Sequence, residues 1–129
     1  MGRCIEFTVK IDPVAKGRPR FFCRGRLIGT YTPAKTRMFE GELLDHCRRN
    51  KLIPTTPLEG PVVVDVTFFL KSKHTGWAFR KPDLDNLVKT LDAFNGYFWK
   101  DDAQIVSLHA SKLYDAVEGG IYFKASEIE

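Results

Sequence analysis

Asp83, Leu84 and Asp85 follow Arg80-Lys81-Pro82 and precede Asn86-Leu87-Val88-Lys89, so two carboxylates and three cations share ten residues. Two ionised carboxylates about 5 Å apart repel by roughly 3 kcal/mol at an effective dielectric of about 20, so a fold that gathers them needs a neutraliser. A divalent cation is the simplest one. Downstream, Trp99-Lys100-Asp101-Asp102-Ala103-Gln104 supplies another acidic pair, which makes a third ligand available.

Oxygen ligands with few histidines nearby select Mg²⁺ or Mn²⁺ over zinc, because Mg²⁺ prefers one or two carboxylates, several waters and a substrate phosphate oxygen. That composition suits a phosphodiesterase, in which the metal activates water and in-line displacement leaves a 5′-phosphate. Lys89 lies four residues beyond Asp85, one helical turn away, where it can neutralise a phosphate or a developing oxyanion. No Ser-His-Asp arrangement and no phosphate-cradling Gly-rich loop competes with this chemistry. An Asp-x-Asp-Asn sequence is also a good helix cap and turn, so spacing alone leaves both readings open.

The acids need elements to hold them. Residues two apart share a side in a strand but diverge by about 200° in a helix, so Asp83 and Asp85 can face one ion only where the chain is extended or just entering a helix. Pro82 favours that arrangement and places the acids at a helix N-terminus. This helix is expected over 83 to 95, with Asn95-Gly96 as its stop. An earlier helix is expected from Thr32, as cap, to about Asn50, with Met38, Leu43, Leu44 and Cys47 on its apolar face. Strands are expected at 4 to 11, 62 to 70, 105 to 113 and 120 to 124, with a short strand or hairpin arm at 27 to 32. The run from Val62 is expected to be buried on both faces near its middle. At 129 residues the chain fits one domain of α+β class, a small mixed β-sheet packed with two main helices.

The net charge of +4 is unevenly placed: Lys16, Arg18, Arg20, Arg24, Arg26, Lys35 and Arg37 lie within 22 residues that hold no acid. Gly17, Pro19, Gly25 and Pro33 keep that segment looped or hairpin-like, beside Phe21, Phe22 and Tyr31, which can stack on bases or sugars. Lys73, Arg80 and Lys81, with His74 and Trp77, repeat the theme and lead to the acidic pair. Nucleic acid is the expected partner. No apolar run reaches the ~20 residues of a membrane span and no signal-peptide core opens the chain, so a cytoplasmic protein without membrane or small-molecule cofactor is expected. Cys4, Cys23 and Cys47 are odd in number and far apart, which points to reduced structural thiols.

Taken together, the segments Arg80 to Lys89 and Trp99 to Val106 resemble the signature of the RusA family of Holliday-junction resolvases. Pro13 to Phe21 and Tyr31 to Thr36 are similar to that family's basic entry segment, so the resemblance covers nearly the whole chain. It implies a homodimeric, Mg²⁺-dependent endonuclease, with Mn²⁺ able to substitute, that cuts four-way DNA junctions symmetrically and is bacterial or phage-encoded. It further implies that Asp83 and Asp85 are the paired catalytic, metal-binding acids, Asp102 the third, and Lys89 the essential lysine; Asp101 is the weaker choice beside Asp102. The chain departs from the pattern by one residue fewer between Lys89 and Asp92-Ala93, a register change of about 100° if the helix is regular. The implied dimer agrees with the substrate, since two matched cuts need two cutting centres and one small domain supplies one.

Two rivals are a non-catalytic DNA-binding module of the same fold and a metal-dependent nuclease for flap or single-stranded DNA. Among the remaining polar residues, Asp92 is read as an intrahelical partner of Lys89 rather than a ligand. Trp99 is read as a packing anchor for the acidic turn. His46 and His109 are read as surface or hydrogen-bonded groups, and His74 as a possible DNA contact.

Overall fold

The computed structural model describes residues 2–31 and 33–128. Five strands form one mixed sheet in the order β1-β7-β4-β6-β5, from β1 (Cys4–Val9), β4 (Val62–Lys71), β5 (Gly76–Trp77), β6 (Ile105–Asp115) and β7 (Gly120–Glu127). Only β4 and β6 run parallel; β1–β7, β4–β7 and β5–β6 are antiparallel. A separate two-stranded hairpin, β2 (Arg20–Arg24) and β3 (Leu27–Tyr31), occupies the basic segment, with Gly25 at φ +61° in its turn. The short β5 lies in the stretch expected to be a plain loop.

β4 alternates rather than burying both faces: Val62, Val64, Val66 and Phe68 point into the core while Asp65 is exposed. Its β-branched and aromatic residues are therefore needed on one side only. That side packs against helix α1 (Ala34–Arg49) and the segment containing α2 (Leu84–Val88), through Phe7, Val9, Leu43, Leu87, Phe94, Phe98, Trp99 and Phe123. Rings of Phe94 and Phe98 meet edge-on at 4.5 Å, and those of Phe94 and Phe123 at 4.9 Å.

α1 begins after Pro33 and ends with His46, Arg48 and Arg49 in its last turn, where cations suit the macrodipole. The expected cap, Thr32, lies outside the described residues. Its buried stripe is Thr36, Phe39, Leu43 and Cys47, spaced by three and four, whereas Met38 is 66% exposed. Of the cysteines only Cys47 is buried, and burial pushes its thiol up to about 11; Cys4 and Cys23 are exposed.

The expected helix over 83 to 95 is α-helical only from Leu84 to Val88 and continues as a 3₁₀ helix from Lys89 to Phe94. The Thr90 hydroxyl donates to the Leu87 carbonyl at 2.5 Å and so competes for an acceptor that an α-turn would give to residue 91. Rising about 2.0 Å per residue instead of 1.5 Å, the 3₁₀ stretch covers the length of a longer α-helix. Asn95 and Gly96, the latter at φ +85°, end it as expected. No helix among the described residues is long and apolar enough to cross a membrane.

Candidate active site

Asp83 holds the N-cap position of α2 with extended backbone angles, φ −69° and ψ 140°, yet its side chain caps nothing. The carboxylate is left to solvent, 3.8 Å from Lys81 Nζ. Asp85, in the first turn, is also exposed, and Lys89 Nζ lies 4.0 Å from it and 3.4 Å from Asn86 Oδ1. The i, i+4 spacing therefore puts Lys89 beside the acids, as the sequence predicts. The segment leading to them is clamped: Lys112 Nζ on β6 donates to the carbonyls of Arg80 and Pro82, both at 2.6 Å. A second tie is the Lys16 N–H, which donates to the Asn86 carbonyl at 2.8 Å.

Asp102 is presented by different means. The indole N–H of Trp99 donates to Asp102 Oδ1 at 2.7 Å, and the Trp99 ring is fully buried among Phe94, Phe98 and Phe123. Asp101 and Gln104 form a capping box: Asp101 Oδ1 accepts from the Ala103 N–H, and Gln104 Oε1 accepts from the N–H groups of Lys100 and Asp101. The other end of the Gln104 amide donates to the carbonyls of Leu58 and Gly60. Asp101 is thus consumed as a cap, while Asp102 keeps a carboxylate oxygen facing water.

The three aspartates do not converge within one chain, contrary to the expectation of a shared site. Asp102 sits just ahead of Ile105, which pairs with Val62, whereas the acidic pair is tied to Lys112, which pairs with Phe68. The parallel register of β4 and β6 therefore puts them at opposite ends of the sheet, about 20 Å apart at the usual strand rise. Among the described residues no three His, Cys, Asp or Glu side chains are gathered closely enough to hold a metal ion. Each chain thus offers a two-carboxylate site and a remote third carboxylate.

Of the cations expected to meet DNA, Arg18, Arg20, Arg24, Arg26, Lys35, Arg37, Lys73, Arg80 and Lys81 are exposed. Arg18, Arg20 and Lys35 line one cleft of about 470 Å³, whose floor is fixed by the Gly17 N–H donating to Thr36 Oγ1 at 2.9 Å. Lys16 is different. Its ammonium lies 3.3 Å from Glu40 and 3.1 Å from Asp92, with only 23% of the side chain exposed. Burial would lower its pKa, but the Asp92 hydrogen bond and the charges of Glu40 and Asp92 outweigh that and hold it above the ordinary value. Lys16 is a structural tie between the N-terminal segment, α1 and the 3₁₀ helix, not a free DNA contact, and it takes the Asp92 partnership expected of Lys89.

His109 Nδ1 lies 3.1 Å from Asp65 on the open sheet face, away from the acids. Trp99 is the expected packing anchor, with the added role of holding Asp102. Two residues that reasoning from sequence missed are Gln104 and Lys112. The Asp-x-x-Gln spacing of the capping box was a legible sign for the first; a lysine interrupting the apolar alternation of β6 was the sign for the second.

Residues 10–124 match the family model described as endodeoxyribonuclease RusA. An uncharacterized protein of Bacillus subtilis (strain 168), YqaN, is 36% identical over 127 aligned positions, covering 86% of this chain and 88% of that protein. A protein of Lactococcus phage r1t named crossover junction endodeoxyribonuclease rusA is 41% identical over 61 positions, covering 43% of this chain and 47% of that one.

Proposed function

The chain belongs to the RusA family of endodeoxyribonucleases, and on that premise we propose that it acts as a homodimer which resolves four-way DNA junctions by paired, metal-dependent nicks. The observation that carries this reading is the acidic pair itself. Asp83 stands at a helix start and declines to cap it, so its oxygens remain available to a hard cation beside Asp85. Two exposed carboxylates with no buried counter-charge suit Mg²⁺, or Mn²⁺ in its place. When bound, that ion supplies a polarised phosphate oxygen and an activated water.

The residues of the chain do the rest. Asp83 and Asp85 supply ligands, Lys112 fixes the backbone that carries them, and Lys89 offsets charge on the phosphate. Arg18, Arg20, Arg24, Arg26, Lys35 and Arg37 grip the duplex arms, and Lys73, Arg80 and Lys81 extend that surface to the acids.

The third carboxylate comes from the second copy. β6 pairs outward only near its C-terminal end, where Gly76 and Trp77 meet Tyr114 and Leu113 and the Ala78 N–H reaches the Lys112 carbonyl. Residues 105 to 111 have no outward strand partner among the described residues, and Val106 and Leu108 there are 60% and 45% exposed. Such an edge favours pairing with its own copy. Antiparallel pairing of this free stretch about Leu108 sets Ile105 of one copy opposite Ser111 of the other. Asp102 of each copy then falls beside the Lys112 clamp and acidic pair of its partner, which accounts for a third ligand about 20 Å away within its own chain.

This function in DNA recombination and repair, in the cytoplasm of a bacterial or phage-infected cell, is tested by cleavage mapping on immobile four-way junctions with Mg²⁺ and with Ca²⁺, against flap, single-stranded and linear duplex DNA. Symmetric nicks confined to junctions and to Mg²⁺ are expected. Binding without cleavage would favour the non-catalytic module, and cutting of flaps or single strands the other nuclease class.

A further inference from the structure

Two adjoining clefts open beside the acidic pair at the C-terminal ends of β4 and β6, with volumes of about 450 and 380 Å³. Both are lined by His74, Arg80 and Tyr114; the first is also lined by Lys71, Lys81 and Pro82 and by one acid, Asp12, and the second by Phe79 and Lys73. Pro82 precedes Asp83 directly, so the clefts and the acids share one stretch of backbone.

The lining combines rings and cations. Tyr114 and His74 have centroids 5.8 Å apart, and the Arg80 guanidinium lies over the Phe79 ring at 5.5 Å from its centroid. Tyr114 is held rigidly, between Leu70 of β4 and Gly76 of β5, and across from it Gly76 carries no side chain that could cover the ring. The His74 turn is fixed by its N–H donating to Ser72 Oγ at 3.1 Å. Phe79 is 79% exposed, an unfavourable place for a large ring unless something stacks on it.

We infer that this double cleft is a binding site for an unstacked nucleotide flanking the scissile phosphate. The base stacks against the Tyr114, His74 and Phe79 rings, and its phosphate is held by Arg80, Lys81 and Lys71. A continuous duplex cannot fill the cleft without breaking a base stack, whereas DNA at a branch presents unstacked bases at little cost. The cleft is therefore a source of preference for branched over linear DNA, separate in place from the cationic hairpin and its contacts to backbone charge. This inference rests on the reading of the chain as a DNA-cutting enzyme, but its site can be probed without cleavage.

The test measures binding of the full-length protein to a labelled six-nucleotide single strand, to an immobile four-way junction and to linear duplex, at two salt concentrations without divalent metal. Combined Tyr114→Leu and Phe79→Ala substitution should weaken single-strand and junction binding about tenfold or more. Duplex affinity should hold within about twofold, and the slope of log affinity against log salt should not change, because no charge is removed. Tyr114→Phe should bind like the unaltered protein, while Lys81→Gln should flatten the slope. Phe79→Ala alone, at an exposed position, should show a smaller loss of the same kind and guards against misfolding of the double variant. Equal loss on duplex and single strand, no loss on either, or Tyr114→Phe as weak as Tyr114→Leu would overturn the inference. Ring-dependent single-strand binding in a protein that cuts no junction would uphold the cleft and remove only the proposed activity.

Discussion

Trp99 and Asp102 are joined by a 2.7 Å hydrogen bond in which a fully buried indole holds a solvent-facing carboxylate. The orientation of Asp102 is thereby set by the packing of the aromatic core rather than by the loop that carries it. Removing the donor while keeping a ring isolates that role. Trp99→Phe should lower junction cleavage about 10- to 100-fold, as loss of groups supporting a metal ligand commonly does, and raise the Mg²⁺ concentration required. It should cost roughly 2 kcal/mol of stability from the lost charged hydrogen bond and ring volume. Metal titration beside thermal unfolding separates the two; a cleavage loss that only tracks the unfolded fraction would show that Trp99 merely packs.

Asp83→Asn should abolish cleavage and leave junction binding unchanged or tighter, since it removes metal affinity and one negative charge near DNA. Mixing asks where the third acid comes from. If Asp102 serves the partner, a dimer of one Asp83→Asn and one Asp102→Asn chain keeps one wholly intact centre. Equimolar refolding puts about half of all dimers in that state, so nicking should return to about a quarter of the native level, as single nicks. If each chain completes its own site, the mixture stays inactive.

Much of the site was legible from residue types. The paired acids at a helix entry and the lysine one turn on follow from Asp83-Leu84-Asp85 and the 3.6 period, but that Asp83 leaves the entry uncapped does not, since Asp-x-Asp-Asn suits a cap equally well. The first strand came from alternation and β4 from its Val, Thr and Phe content, with bounds that moved by a few residues, whereas the one-sided burial of β4 and the short β5 were not read. What could not be read was long-range: the parallel register of β4 and β6, set by which core faces match, separates Asp102 from Asp83, and no local pattern encodes it. The same holds for Lys16. Its charge looks like its neighbours' in sequence, and only the packing of α1 against the 3₁₀ helix brings Glu40 and Asp92 to it. Local chemistry did overrule periodicity at Thr90, whose hydroxyl helped to turn an expected helix into 3₁₀.

The two kinds of cation should separate in salt titrations. Arg24→Gln removes an exposed hairpin charge, and if that side chain meets one phosphate the slope of log affinity against log salt should fall by about 0.9. Lys16→Met should leave the slope unchanged but destabilise the fold by roughly 1–2 kcal/mol, between the values for exposed and buried pairs. Because the Lys16 pKa is raised on folding, its contribution is present below about pH 10.5, the ordinary lysine value, and is lost as pH rises through the folded one. Equal slopes for both variants would remove the hairpin from the DNA interface.

Acid should loosen the turn below Asp102 through Glu127. The Arg3 side-chain hydrogen bond, then the Glu59 and Arg3 N–H groups, hold that carboxyl down at about 2, below its ordinary 4.5. A depressed carboxyl stabilises the fold above the unfolded value and loses that contribution as pH falls from about 4.5 toward 2. Arg3 also donates to the carbonyls of Thr56 and Pro57, next to Leu58, which the Gln104 amide grips. Glu127→Gln should therefore lower the thermal midpoint near neutrality, flatten the profile across that window, and converge with the unaltered protein as pH approaches about 2. An unaltered acid limb would assign it to other carboxylates.

The free edge of β6 yields the sharpest assembly prediction. In antiparallel self-pairing Leu108 lies on the two-fold axis and faces its own copy, so Leu108→Lys sets two like charges side by side. Val106→Lys adds a further like charge on the same face, two residues from that axis. Both side chains are exposed in the single chain, so neither change opens a cavity, and the thermal midpoint measured under dilute, monomeric conditions should hold. Sedimentation equilibrium should show the dimer shifted to monomer. Cleavage should fall with it, because each Asp83 and Asp85 pair loses the Asp102 of the other copy, while the cationic hairpin still binds DNA as a monomer with about half the salt slope. A double variant that remains dimeric and active would place the interface elsewhere and would return the third carboxylate to an arrangement that the register of β4 and β6 does not provide.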